Sequence, residues 1–142
     1  MYLLDTDTYS NLLRRNPNVV SRMSRSLPAS VYLCVITPEE VLGGRLAAIN
    51  QARARQETRL PIAYDFLMDL VRDLNRFSIL RYDEDAAQIY ASFSTSVRRA
   101  GSQDCRIAAV ALANNFTVVT YNTAHFAKIG VATEDWGLSP EI

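Results

Sequence analysis

The stretch Val31-Tyr32-Leu33-Cys34-Val35-Ile36-Thr37-Pro38-Glu39-Glu40 carries the first decision about the fold. Its first six residues are continuously apolar and rich in β-branched side chains, which predicts a buried strand. The next four read as a helix start. Thr37 is the predicted cap, Pro38 takes the first helical position, and Glu40 stands three residues after the cap. A strand without polar alternation that runs straight into a helix belongs in a parallel sheet covered on both faces.

Working outward, the same pattern recurs. Tyr2–Asp5 reads as a short buried strand, with Asp7 as the predicted cap of a helix to about Arg15. Asn16-Pro17 opens a second helix to about Ser26. After Glu40 the helical pattern runs toward Arg55, breaks at Leu60-Pro61, and resumes through Leu74, which predicts a helical hairpin over 38–75. Phe77–Leu80 reads as a third strand. A helix capped by Asp83 runs past Phe93 to Arg99, and Gly101 stops it. Ser102 is the predicted cap of a helix to about Asn114. Thr117–Thr120 is a fourth strand, a short helix spans about 123–128, and Val131–Thr133 is a fifth, edge strand before Trp136. The expectation is an α/β chain forming one domain over 1–142, an α/β/α sandwich around a parallel sheet.

Composition narrows the chemistry. The 142 residues are 49% hydrophobic and 21% charged, as in a soluble globular chain that needs no disulfide or structural metal. The single histidine, His125, excludes any site with two His ligands, and with Cys34 and Cys105 it falls short of a four-ligand zinc site. Two cysteines in a chain of this length point to a reducing, cytoplasmic setting. No apolar run approaches a membrane span, and the first residues have no signal-peptide character. Both cysteines are expected in the core, and so is Trp136 at the sheet edge. Tyr64, Phe66, Tyr90 and Phe93 are expected in core or interface.

In open α/β sheets ligands bind at the carboxyl ends of the strands. The polar residues just after the strands are Asp5, Thr6 and Asp7; Thr37, Glu39 and Glu40; and Thr120, Asn122 and Thr123. Asp104 lies in the first turn of its helix and joins them if the short helix before it turns the chain to the same edge. No lysine lies near these acids. Oxygen-only donors with scarce histidine suit a hard divalent ion, Mg2+ or Mn2+, and metal-assisted phosphoryl chemistry. Each residue also has an ordinary structural reading: Asp5 as a turn former or cap, Asp7 as a cap, Glu40 in a capping box, Asn122 as a turn residue, His125 as a packed side chain. The constellation carries the reading, not any one member.

The 15 basic and 15 acidic residues cancel, which argues against a polyanionic partner if read as a sum. By position the sum is misleading. Fourteen of the basic residues are arginine, and Arg14, Arg15, Arg22 and Arg25 fall in a segment without acids. Arg45, Arg53, Arg55 and Arg59 share theirs with Glu57 alone, while acids gather in 65–85 and 134–141. Arginine favours bidentate phosphate contacts. Arg14, Arg15, Arg45 and Arg53 are therefore candidate contacts for a phosphate-bearing partner or an acidic protein, against the plainer reading of a solvated helix face.

The segments YLLDTD (2–7), VITPEEVLGG (35–44), GSQDCRIAAVALANN (101–115), VVTYNTAHF (118–126) and EDW (134–136), in this order and spacing, resemble the PIN domain, and more closely its VapC-type toxins. The resemblance implies a parallel sheet with helices on both sides and an acidic pocket for Mg2+ or Mn2+. It implies cleavage of single-stranded RNA by metal-activated water. Carried over residue by residue, the metal-binding acids are Asp5, Glu40 (four before Gly44) and Asp104. Asn122 stands where many PIN domains have a further Asp, and His125 where some relatives have an acid. One firmly bound ion is then expected, with Asn122 a weaker ligand or water-positioner and Thr6, Asp7 and Thr120 in support. The resemblance also implies a homodimer and a cognate VapB-like antitoxin, through which any DNA contact would come. Two other readings remain: a haloacid-dehalogenase-like phosphatase using Asp5, since Asp5-Thr6-Asp7 mimics its nucleophile motif, and a catalytically degenerate PIN binding module.

Overall fold

The computed structural model describes residues 1–139, so Glu141 and the expected domain end at residue 142 lie outside the described residues. Its spine is β1 (Tyr2–Leu4), whose Leu3 and Leu4 are fully buried. On one side β1 pairs in parallel with β2 (Val31–Cys34), which pairs with β3 (Ser78–Leu80). On the other it pairs with β4 (Thr117–Val119), which pairs with β5 (Thr133–Glu134). The order is β3-β2-β1-β4-β5 and every pairing is parallel. The strand order therefore reverses beside β1, where an open parallel sheet forms its crevice.

Eight α-helices pack around the sheet among the described residues: α1 (Thr6–Leu13), α2 (Pro17–Arg25), α3 (Ile36–Arg55), α4 (Leu60–Leu74), α5 (Glu84–Ser92), α6 (Thr95–Ala100), α7 (Ser102–Asn114) and α8 (Thr123–Ile129). Two hydrophobic cores separate the layers. One joins Leu3, Cys34 and Val118 to Ala86 of α5, Phe126 of α8 and the run Ile107–Ala111 of α7. That run is apolar all round and fully buried, as expected of the central helix of a layer. The other joins Leu4, Leu33 and Val119 to Tyr9 of α1, Val19 of α2, Leu70 of α4 and Trp136. A small third cluster of Ile49, Ala52 and Ala63 holds the α3–α4 hairpin together beyond the sheet.

The α/β/α sandwich, the parallel sheet and the hairpin thus stand as the sequence predicts, and several local expectations do not. The cap of α1 is Asp5, not Asp7: the helix starts at Thr6, and Asp5 accepts the Thr8 N–H at 2.8 Å. Helix α3 starts at Ile36, before Thr37, so Thr37 is a buried residue inside the first turn and forms no cap. The second strand is correspondingly shorter. Ser102 is the first residue of α7 and caps nothing. The helix expected from Asp83 to Arg99 is two helices, because Phe93 is extended and Ser94 caps α6 by accepting from the Val97 N–H. Tyr64 and Phe66 lie on the exposed face of the hairpin, which removes the core half of their expectation and leaves the interface half. Cys34 and Cys105 are buried free thiols, and burial pushes both thiols up, Cys34 to about 11.

The closing EDW segment is a clasp. Glu134 accepts from the Tyr2 hydroxyl at 3.3 Å, Arg22 at 2.7 Å and the Trp136 indole N–H at 2.9 Å. Trp136 is fully buried, edge-on to Tyr2, with the Arg22 guanidinium over its ring. Gly137 is required next to it, since a Cβ there would meet the Tyr121 ring at 2.0 Å. Trp136→Ala should remove about 3–5 kcal/mol of stability in urea denaturation, and a loss under about 1 kcal/mol would show that the clasp is ornamental.

Candidate functional site

The carboxyl ends of β1, β2 and β4 bring polar residues to one edge. Asp5 ends β1; it is only 3% exposed, and its N–H donates to the Val119 carbonyl of β4 at 3.0 Å. The Thr8 backbone N–H donates to its Oδ1 at 2.8 Å, the Thr8 hydroxyl donates to the Val119 carbonyl at 3.0 Å, and the nearby Thr120 and Thr8 hydroxyls favour the ionised carboxylate. Burial outweighs them, and with a push from Asp7 the carboxyl is raised to about 6. An acid so placed is stable as a neutral group or beside a cation.

Glu40 comes from the first turns of α3, just beyond β2. Its Oε1 accepts from the Thr6 hydroxyl at 2.7 Å, and the Thr6 and Thr37 hydroxyls lie 3.2 Å apart. This replaces the predicted capping box: with α3 starting early, Glu40 turns to α1 instead of its own helix end. Desolvation raises Glu40, the Thr6 hydrogen bond opposes the shift, and Asp104, Asp7 and Glu39 add to it. Asp104, half-buried in the first turn of α7, is raised by desolvation and by Asp7, and lowered by His125. Asp7, exposed on α1, acts on Asp5, Glu40 and Asp104 alike. The four acids therefore share one electrostatic neighbourhood. Among the described residues none of them forms an ion pair with arginine or lysine.

The remaining predicted residues divide. Thr120 is fully buried and directed at Asp5, while its Oγ1 accepts the Asn122 N–H at 2.9 Å. Asn122 is exposed at the start of α8 and makes no side-chain cap bond. Arg14, Arg15 and Arg45 line one cavity of about 750 Å³ together with Thr6 and Glu40. Arg53 is elsewhere, donating to the Tyr64 hydroxyl on the hairpin. Arg22, in the acid-free segment, is held by Glu134.

His125, expected either as a packed side chain or at the position of an acid in some relatives, stands beside Asp104. Its Nε2 is buried without a hydrogen-bond partner, 3.9 Å from Asp104 Oδ2, and a Cβ at Gly101 would press on that nitrogen at 3.1 Å. The one available signal was its spacing, at the position where some PIN domains carry an acid. The donor set of carboxylates, hydroxyls and one unpartnered imidazole nitrogen fits a divalent cation. Among the described residues no three His, Cys, Asp or Glu side chains converge into a ready coordination shell, so the site is an open acidic pocket.

Comparison with known proteins agrees with this architecture. The chain is 33% identical to the plasmid stability protein StbB of Pseudomonas syringae pv. tomato over 92% of its length and 94% of that protein. It is 30% identical to VapC ribonuclease Y4jK of Sinorhizobium fredii, covering 92% of this chain and 94% of the other. The crystal structure of FitAcB from Neisseria gonorrhoeae superposes with a TM-score of 0.73 at 30% identity, over 96% of this chain and 98% of that one. Residues 2–132 match the PIN domain, and the five-stranded parallel sheet with its helical layers is the fold of those structures, so the chain belongs to the PIN-domain family.

Proposed function

We propose that this chain is a metal-dependent endoribonuclease that cleaves single-stranded RNA, acting as the toxin of a toxin–antitoxin pair. The observation that carries the reading is the acid cluster itself. Four carboxylates share one strand edge without an arginine or lysine partner among the described residues, and the most buried is raised to about 6. The relative named VapC ribonuclease supports the nuclease, and the relative named toxin FitB, from Neisseria gonorrhoeae, supports the toxin.

Asp5, Glu40 and Asp104 hold Mg2+ or Mn2+, with Asn122 as a weaker ligand or water-positioner. A bound ion supplies Lewis-acid activation of water and offsets charge on the phosphodiester. Thr8 and Thr120 fix the orientation of Asp5, and Thr6 fixes that of Glu40, so these side chains wait in place rather than reorganising. Asp7 adds negative potential that favours a cation. Arg14, Arg15 and Arg45, along the cavity leading away from Glu40, contact RNA or the acidic tail of a VapB-like antitoxin. Arg53 lies outside that cavity and is dropped from this role. A single PIN-like domain, working as a homodimer in the cytoplasm and meeting DNA only through its antitoxin, completes the reading. No helix among the described residues is long and apolar enough to cross a membrane.

A catalytically inert PIN module is the second reading, favoured by the absence of a closed three-ligand shell among the described residues. The phosphatase reading needed a lysine at the site, and Lys128 is exposed on α8. Asp5→Asn and Asp104→Asn should each lower RNA cleavage by more than about 100-fold while keeping a folded melting profile; undiminished cleavage in both would sink the assignment. Mg2+ or Mn2+ should raise the melting temperature of the unmodified chain and leave that of Asp104→Asn unchanged. An inert module would show no metal response in either.

The raised Asp5 has its own signature in chelator. Its folded value of about 6 lies above its ordinary 3.8, so ionisation is disfavoured in the folded chain. The folded state is unburdened below about pH 4 and loses stability as pH rises toward 6 and beyond. Asp5→Asn keeps an oxygen for the Thr8 N–H and removes the charge. It should therefore be more stable than the parent at pH 7, by up to about 3 kcal/mol, with the difference vanishing below about pH 4. Equal stability at both pH values would refute the burial argument.

A further inference from the structure

A second cationic element lies on the other side of the acids, in residues that linear charge counting passes over. The Arg106 guanidinium of α7 stands 4.7 Å from the centre of the Tyr90 ring, and that of Arg98 of α6 stands 5.6 Å from the same centre. Two positive charges are thus gathered on one tyrosine, closer together than about one Debye length at 0.1 M salt. Among the described residues neither is within ion-pair distance of a carboxylate, and Arg98 Nε is buried with no hydrogen-bond partner. The ring offsets the charges only in part. Such a pair gains from an anion, and the guanidinium fork matches phosphate oxygens.

Its position relates it to the acids. Arg106 Nη1 donates to Gln103 Oε1 at 3.0 Å, and Gln103 Nε2 donates to Glu39 Oε1 at 2.7 Å. Gln103 precedes Asp104 and Glu39 precedes Glu40, so Arg106 is joined by two hydrogen bonds to the rim of the pocket. Glu40, on the same turn of α3, lines the opposite cavity with Arg14, Arg15 and Arg45. Positive groups therefore flank the carboxylates on both sides, a pattern suited to a strand of phosphates crossing them.

We propose that Arg98 and Arg106, gathered over Tyr90, form a phosphate-binding subsite that holds the single-stranded RNA backbone on the α5–α7 side of the carboxylates. The inference deepens the ribonuclease reading and rests on it. RNA is favoured over an acidic peptide because the strand to be cut has to lie across the carboxylates this subsite adjoins. Counterion release gives the test: each phosphate contact on a single strand contributes about 0.7 to the slope of log affinity against log salt.

Binding of a fluorescein-labelled single-stranded RNA to the full chain is followed by anisotropy over a KCl series in EDTA, which prevents cleavage. Arg98→Gln and Arg106→Gln should each lower the slope by about 0.7 and weaken binding to all RNA sequences alike. Arg98→Lys and Arg106→Lys, which keep the charge, should retain the slope, separating loss of contact from loss of fold. Glutamine variants that are folded and keep the parental slope overturn the subsite, including when they bind poly-glutamate less well than the parent. If the parent binds no RNA at low salt, the ribonuclease reading fails and the subsite falls with it.

Discussion

One buried carboxylate, Asp5, ties the central strand to the first helix and to β4. Asp5 ends the central strand, caps α1 through the Thr8 N–H, and donates its own N–H to β4. A cap of this kind stabilises by about 1 kcal/mol, whereas burying the charge costs more, as the raised carboxyl shows. The position is therefore worse for stability than a neutral cap would be. A residue kept under such strain marks the place where a cation is expected, and the surrounding threonines serve to hold it still. The rest of the site is arranged about that point: Glu40 is steered by Thr6, one residue on, and Asp104 arrives from α7.

Charge in this molecule is organised by the sheet rather than by the chain. Acids collect at the carboxyl edge of β1, β2 and β4, and arginines stand on either side. Other arginines serve the fold, as Arg22 does in binding Glu134 beneath Trp136. Zero net charge is thus the sum of an acidic pocket, cationic flanks and a structural ion pair. Only the flanks bear on what polyanion the surface attracts.

How much of this was legible in the sequence follows from the range of each interaction. The strands were readable because each is a continuous apolar run, and the acids because they follow those runs directly. Helix starts were less so. Thr37 has the composition of a cap, but α3 begins one residue earlier and buries it. The Thr6–Glu40 bond spans 34 positions, and no local pattern announces it. His125 beside Asp104 depends on how α7 and α8 pack. Arg98 and Arg106 stand eight positions apart on two different helices with Asp104 between them, so no local pattern pairs them. In space, α5, α6 and α7 turn both guanidiniums onto one ring.

The placement of β1 governs when the molecule can form at all. The strand made first is the centre of the sheet, and it pairs in register with β4, Tyr2 opposite Thr117. Parallel pairing between such distant segments is slow, because a long loop must close before its contacts offset the lost entropy. During synthesis, β1 must therefore wait with one edge unpaired until β4 has emerged. Asp104 is made only shortly before that strand. A nascent chain accordingly lacks an assembled acidic pocket until β4 has emerged, and the pocket arises together with the closing of the sheet.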